Sequence, residues 1–158
     1  VVFIYEPGNP KPEPWKLEEA STGEIYSSDD YYKDNQLVLV EFFHSECGHC
    51  NNQAPILRDV YNNYMSESSE NYTSSFHMFS IGGYKLSTNT DSKNDISSFK
   101  FKHTLEWPHL YDSSGELMRE YDFNSYPAMA LIKNNEIVYY DTGTKTYEQL
   151  TLEIEKHL

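Results

Sequence analysis

The chain has only two cysteines, and both lie in Cys47-Gly48-His49-Cys50, shortly after the run Leu37-Val38-Leu39-Val40-Glu41-Phe42-Phe43. That run is short, rich in β-branched and aromatic residues, and interrupted only by Glu41, which predicts a strand buried on both faces. A helix should start around Cys47 and reach about Met65, because Ile56, Leu57, Val60, Tyr61 and Tyr64 recur at helical spacing. Pro55 falls inside it and should kink it. A strand covered on both faces that feeds a helix implies an α/β architecture.

The remaining segments fit that class. Trp15 to Ala20 and Glu24 to Tyr26 read as an N-terminal strand pair around Ser21-Thr22-Gly23, and Asp29 to Asp34 as a helical turn. Ser66 to Ser75 is polar and reads as a loop. Phe76 to Ile81 reads as a second buried strand that ends at Gly82-Gly83, and Leu86 to Asn94 is polar. A helix is expected over Asp95 to Leu105, with Ile96, Phe99 and His103 on one stripe. Trp107 to Tyr111 is a short extended piece, and Glu116 to Tyr121 a turn or two of helix. Asn134-Asn135, between Ala128–Lys133 and Glu136–Asp141, signals a hairpin. Thr146 to Leu158 closes the chain as a helix with Tyr147, Leu150, Ile154 and Leu158 facing inward.

At 158 residues the chain fits one domain, expected over 15–158, and can bury about 70% of its unfolded surface without a covalent or metal staple. Residues 1–14, with Pro7, Pro10, Pro12 and Pro14, read as an extension and linker. The opening Val1-Val2-Phe3-Ile4-Tyr5 suits either a first strand or the stub of a membrane anchor, and the start at valine raises the expectation of a removed upstream segment. No apolar stretch reaches the roughly 18 residues a membrane-spanning helix needs. With 25 acidic against 12 basic side chains, the surface repels phosphate backbones and anionic lipid, which argues against nucleic acid as a partner.

The cysteine spacing points to redox chemistry. A structural disulfide usually closes a longer loop, and a zinc site needs about four ligands where this chain has no second Cys pair. Disulfide exchange needs one thiolate to attack and a second thiol to release the mixed disulfide. At a helix start, Cys47 faces unpaired N–H groups and the positive end of the helix dipole, which favour its thiolate, and Cys50 lies one turn on and deeper. Gly48 lets a substrate chain approach closely. His49 either favours the Cys47 thiolate or is a solvent-exposed histidine without a role. Glu41 has two readings as well. Buried, its carboxyl should hold its proton unusually well and could accept the proton of Cys50; at an edge it would simply face solvent.

Val40-Glu41-Phe42-Phe43, then Cys47-Gly48-His49-Cys50 and Ala54-Pro55, resembles the active-site stretch of the thioredoxin superfamily. Gly48-His49 and Glu41 resemble protein disulfide isomerase domains, and Tyr121-Asp122-Phe123-Asn124-Ser125-Tyr126-Pro127 resembles the segment that ends in a cis-proline beside the active site. The insertion of about 25 residues, Gly82 to Glu106, together with the leading strands, is similar to the extracytoplasmic TlpA/ResA-type layout.

The resemblance implies a thioredoxin fold with a mixed central sheet flanked by helices. It implies Cys47 and Cys50 as the exchanging thiols, Tyr126 and Pro127 as substrate-holding residues, and no metal or other cofactor. The implied partners are proteins carrying disulfides or dithiols and a further redox partner. It also implies a place outside the cytoplasm, secreted or held by an N-terminal anchor. Two departures stand out: Glu46 replaces the family's tryptophan before the first cysteine, and Asn51 replaces the basic residue common after the second in isomerases. Two other classes remain open: a copper-handling module with His44, His49 or His109 as third ligand, and a redox-inert binding domain.

Overall fold

The structure, a computed structural model, describes residues 9–158; the Val1–Tyr5 run lies outside the described residues. A leading pair, β1 (Lys16–Glu19) and β2 (Ile25–Ser27), precedes the central unit of β3 (Leu37–Phe42), α1 (Gly48–Tyr64) and β4 (Phe76–Gly82). The inserted segment holds a small hairpin, β5 (Lys85–Leu86) and β6 (Asn89–Thr90), and then α2 (Lys93–His103). The chain continues through β7 (His109–Tyr111), α3 (Glu116–Glu120), β8 (Ala128–Lys133), β9 (Glu136–Thr142) and α4 (Tyr147–Glu155).

Seven strands form one sheet in the order β2-β1-β7-β4-β3-β8-β9. β3, β4 and β7 run parallel, and the outer strands are antiparallel. Every residue of β3 is buried. Its odd-numbered side chains Leu37 and Leu39 join the core under α1, α2 and α4. Val38, Val40 and Phe42 face the opposite core, with Trp15, Tyr32, Leu117 and Met118. The alternation follows from the two-residue period of a strand, so Glu41 must point to the α1 face.

Local rules set most element ends. Asn134 and Asn135 both adopt positive φ, at 53° and 59°, as a tight hairpin between β8 and β9 requires. Ser92 and Thr146 cap α2 and α4, each with a reciprocal capping box. α1 runs on through Pro55, whose ring is exposed on its outer side. α4 stops at Glu155, which leaves Leu158 outside the helix and 47% exposed rather than on its inner face. Part of the expected linker lies along the sheet: Pro12 is buried, and the Pro10 carbonyl accepts a hydrogen bond from the Ile137 N–H at 2.8 Å.

One buried amide ties the site-bearing helix to the C-terminal segment. Gln53, fully enclosed, donates to the Lys145 carbonyl at 3.0 Å and accepts from the Lys145 N–H at 2.7 Å. Gln53→Ala strips both partners from that backbone and leaves a small cavity. The expected cost is about 2–3 kcal/mol, read as a lower urea midpoint at an unchanged m-value. A cost under about 0.5 kcal/mol would show that the amide pair is not a stabilising tie.

Candidate active site

The strand-to-helix turn places Cys47 as the N-cap residue of α1. Its Sγ accepts from the Cys50 N–H at 3.2 Å, a direct use of an otherwise unpaired N–H in the first helical turn. The Cys47 thiol donates to the Tyr126 carbonyl at 3.7 Å, and the Tyr126–Pro127 peptide is cis. Both cysteines are free thiols, with Cys47 at 6% exposure and Cys50 at 0%. Cys47, Gly48 and His49 line an open groove, whereas Cys50 does not reach it. Tyr126 lines the same groove, its hydroxyl donating to the Lys85 carbonyl at 3.0 Å, and Pro127 lies buried just behind. His49 is exposed.

Behind the thiols lies a polar row inside the apolar core. Glu41, Ser80 and His109 are register partners across β3, β4 and β7, so all three side chains emerge on the α1 face. Trp107 Nε1–H donates to Ser80 Oγ at 2.8 Å, and the Ser80 hydroxyl donates in turn to Glu41 Oε1 at 2.8 Å. The chain of donors is thus directed at the carboxyl oxygen. Burial pushes the Glu41 carboxyl up to about 8, with the Ser80 hydrogen bond opposing. Burial also pushes the Cys50 thiol up, and the charges of Glu41 and Cys47 push in the same direction. His109 donates from Nδ1 to the Trp107 carbonyl at 2.8 Å, and its Nε2 has no hydrogen-bond partner. Burial holds that ring near 4, hence neutral at physiological pH.

The inserted segment is fastened to the active-site turn by residues the sequence did not single out for this. The Asp91 carboxylate, almost fully buried, accepts from the Ser45 N–H at 2.7 Å and the Ser45 hydroxyl at 2.6 Å. His44 accepts at Nδ1 from the Glu46 N–H, 3.1 Å away, which leaves Nε2 to donate to the Asn89 carbonyl at 2.9 Å. Asn89 also donates to the Glu46 carboxylate at 3.1 Å. On the other side Asn51 donates to the Ser45 and Cys47 carbonyls and accepts from His103 Nε2 at 2.8 Å. One signal was available for the buried row: Ser80, like Glu41, is a polar interruption in an apolar strand.

The histidines weighed as metal ligands are dispersed. His44 spends both ring nitrogens on backbone groups, and His109 stands in the buried row on β7. Among the described residues, no group of three or more His, Cys, Asp or Glu side chains is placed to hold a metal ion.

Glu41 gives a signed pH dependence. An unfolded glutamate loses its proton near 4.3, whereas the folded carboxyl keeps it to about 8. Its stabilising contribution is therefore fully present below about 4.3 and is lost as pH rises toward 8, by at most about 1.4 kcal/mol per unit. Glu41→Gln removes that slope. In urea denaturation, the variant's stability relative to the parent should improve steadily from about pH 5 to about pH 8; a constant difference would contradict the buried-acid account.

No curated protein matches the sequence. Among solved structures, StoA of Bacillus subtilis is 25% identical with a TM-score of 0.66, covering 89% of this chain and 96% of its own. A secreted disulfide oxidoreductase of Mycobacterium tuberculosis is 16% identical with a TM-score of 0.69, covering 90% and 95%. A thioredoxin-family thiol:disulfide interchange protein of Chlorobium tepidum is 12% identical with a TM-score of 0.73, covering 97% and 99%. The fold is the thioredoxin fold, with a mixed sheet between helices. The family model described as Redoxin matches residues 6–153, nearly the full length, and the chain belongs to the Redoxin family.

Proposed function

We propose that the protein is a thiol–disulfide oxidoreductase that exchanges disulfides with protein or peptide substrates through Cys47 and Cys50. The observation that carries this reading is the asymmetry of the pair. Cys47 opens to the groove at the helix start, and Cys50 is sealed beneath it within reach of the charge of the buried Glu41.

The Cys47 thiolate attacks one sulfur of a substrate disulfide. A Cys47–substrate S–S bond forms, the substrate bond breaks, and the second substrate sulfur leaves as thiolate. Cys50 then gives up its proton and attacks Cys47 Sγ. The Cys47–Cys50 bond closes, the substrate's first sulfur departs as thiolate, and two electrons have moved from the protein to the substrate. Run in reverse, the same steps oxidise a dithiol. The Cys50 N–H that faces Cys47 Sγ favours the thiolate, and Gly48 leaves the approach open. The carbonyl of Tyr126, beside Cys47, gives the substrate backbone a pairing partner, with Pro127 setting its position.

Glu41 is the proton acceptor in the resolving step. Raised to about 8, the Glu41 carboxyl is a far better proton acceptor for the buried Cys50 thiol than a solvated carboxylate would be. Trp107 and Ser80 steady its oxygen. His49, exposed at the groove, favours the Cys47 thiolate. We place the activity outside the cytoplasm, where disulfides persist, on the strength of the TlpA/ResA-type layout and the secreted mycobacterial neighbour.

Cys47→Ser should abolish insulin reduction, whereas Cys50→Ser should accumulate a Cys47–substrate mixed disulfide visible by mass spectrometry. Normal insulin reduction by Cys47→Ser would overturn the proposal. Glu41→Gln should slow resolution by about 10²-fold or more while leaving the first attack within a few-fold; equal slowing of both steps would remove Glu41 from that role. His49→Pro should make the pair more reducing by about 30 mV, a tenfold change in equilibrium against glutathione. An unchanged potential would leave His49 without a part.

A further inference from the structure

The groove in front of Cys47 encloses about 640 Å³. Residues in or beside the inserted hairpin and α3, namely Tyr84, Leu86, Met118 and Phe123, give it an apolar and aromatic lining. Lys85 and Arg119, both exposed, line the same groove and lie near one ring. The Lys85 ammonium lies 5.7 Å from the Tyr84 ring centroid, and the Arg119 guanidinium also 5.7 Å from it. Arg119 donates to the Ser114 carbonyl at 2.9 Å and to the Tyr84 hydroxyl at 3.4 Å, contacts that orient the guanidinium without neutralising it.

Five of the 12 basic side chains pair with a carboxylate among the described residues, Lys11 with Glu136 among them. Lys93, Lys100, Lys145 and Lys156 each pair with a carboxylate, whereas neither Lys85 nor Arg119 makes an ion pair among the described residues. With 12 basic side chains against 25 acidic ones, two unpaired cations brought to one ring of a groove call for an anionic occupant. The one carboxylate that lines the groove, Glu46, sits at the Cys47 end and accepts from Asn89. The net charge of −13 repels an acidic partner at long range, but salt screens that field beyond about 8–10 Å, and the groove cations act at contact.

We propose that this groove selects substrates whose reactive cysteine is flanked by a peptide segment mixing acidic with apolar side chains. The apolar groups seat on Leu86, Met118 and Phe123, and the carboxylates reach Lys85 and Arg119. The proposal rests on the oxidoreductase reading for its biological setting, but the recognition itself involves no redox step.

The test separates the two. Fluorescent peptides carry serine in place of the reactive cysteine, flanked by leucine and phenylalanine together with glutamate, glutamine or lysine. Their binding to the full chain is measured by anisotropy at low and at high salt. The glutamate peptide should bind about five- to tenfold tighter than the glutamine peptide at low salt, and the lysine peptide most weakly. That order should shrink at high salt, disappear in K85Q/R119Q and invert in K85E/R119E. Equal affinities for the three peptides, or a glutamate preference that persists in both double variants, would overturn the proposal. Reduction of a disulfide-linked form of the glutamine peptide by the unsubstituted protein reports separately on the oxidoreductase reading.

Discussion

β3 is paired on both edges and covered on both faces, and much of the molecule follows from that enclosure. A strand so placed can satisfy its backbone only through β4 and β8, and its side chains only by apolar contact. Five of its six residues comply, and Glu41 does not. The core accommodates the exception by bringing a hydroxyl from the next strand and, behind it, an indole N–H, so the carboxyl oxygen is met by a donor in place of water. The same enclosure fixes where α1 can start. β3 ends at the edge of the core, and the turn that follows carries Cys47 to the floor of the groove and Cys50 back under it.

How much of this is legible in the sequence depends on the range of the cause. Local causes read well: the double asparagine at the β8–β9 turn, the apolar run of β3, the helical spacing from Ile56 to Tyr64, and the thiol pair at a strand–helix junction. Causes that act across the sheet do not. Nothing in the order of residues says that Ser80 sits opposite Glu41, because strand register is set by tertiary pairing. The β5–β6 hairpin was unreadable for a related reason. Its residues are polar and only two per strand, and its position is fixed by Asp91, Asn89 and Tyr126 reaching over distances of about 40 residues or more in sequence. Leu158 shows the opposite error, where periodicity was extended past the point at which the helix ends.

The site divides into two parts built by different means. The reacting pair and the buried acid stand on regular elements of the central sheet and α1, where packing allows little latitude. The groove in front of Cys47 stands on a short hairpin, a five-residue helix and the loop before Pro127. Such elements change sequence more readily than a core strand does, so the chemistry can stay constant while the preference for partners is rewritten.

Gly115, the residue that opens α3, shows how narrow the link between those elements is. Its φ of +69° suits glycine, and a Cβ there would come to 2.5 Å from the Tyr84 ring, near which both Lys85 and Arg119 lie. The missing methyl is therefore a spacer set to zero, and it lets the aromatic ring lie flat against the turn. Any side chain at that position would act as a shim, tilting the ring and both cations together and so altering the mouth of the groove. A position remote from both sulfurs thereby holds a mechanical adjustment of the groove's shape.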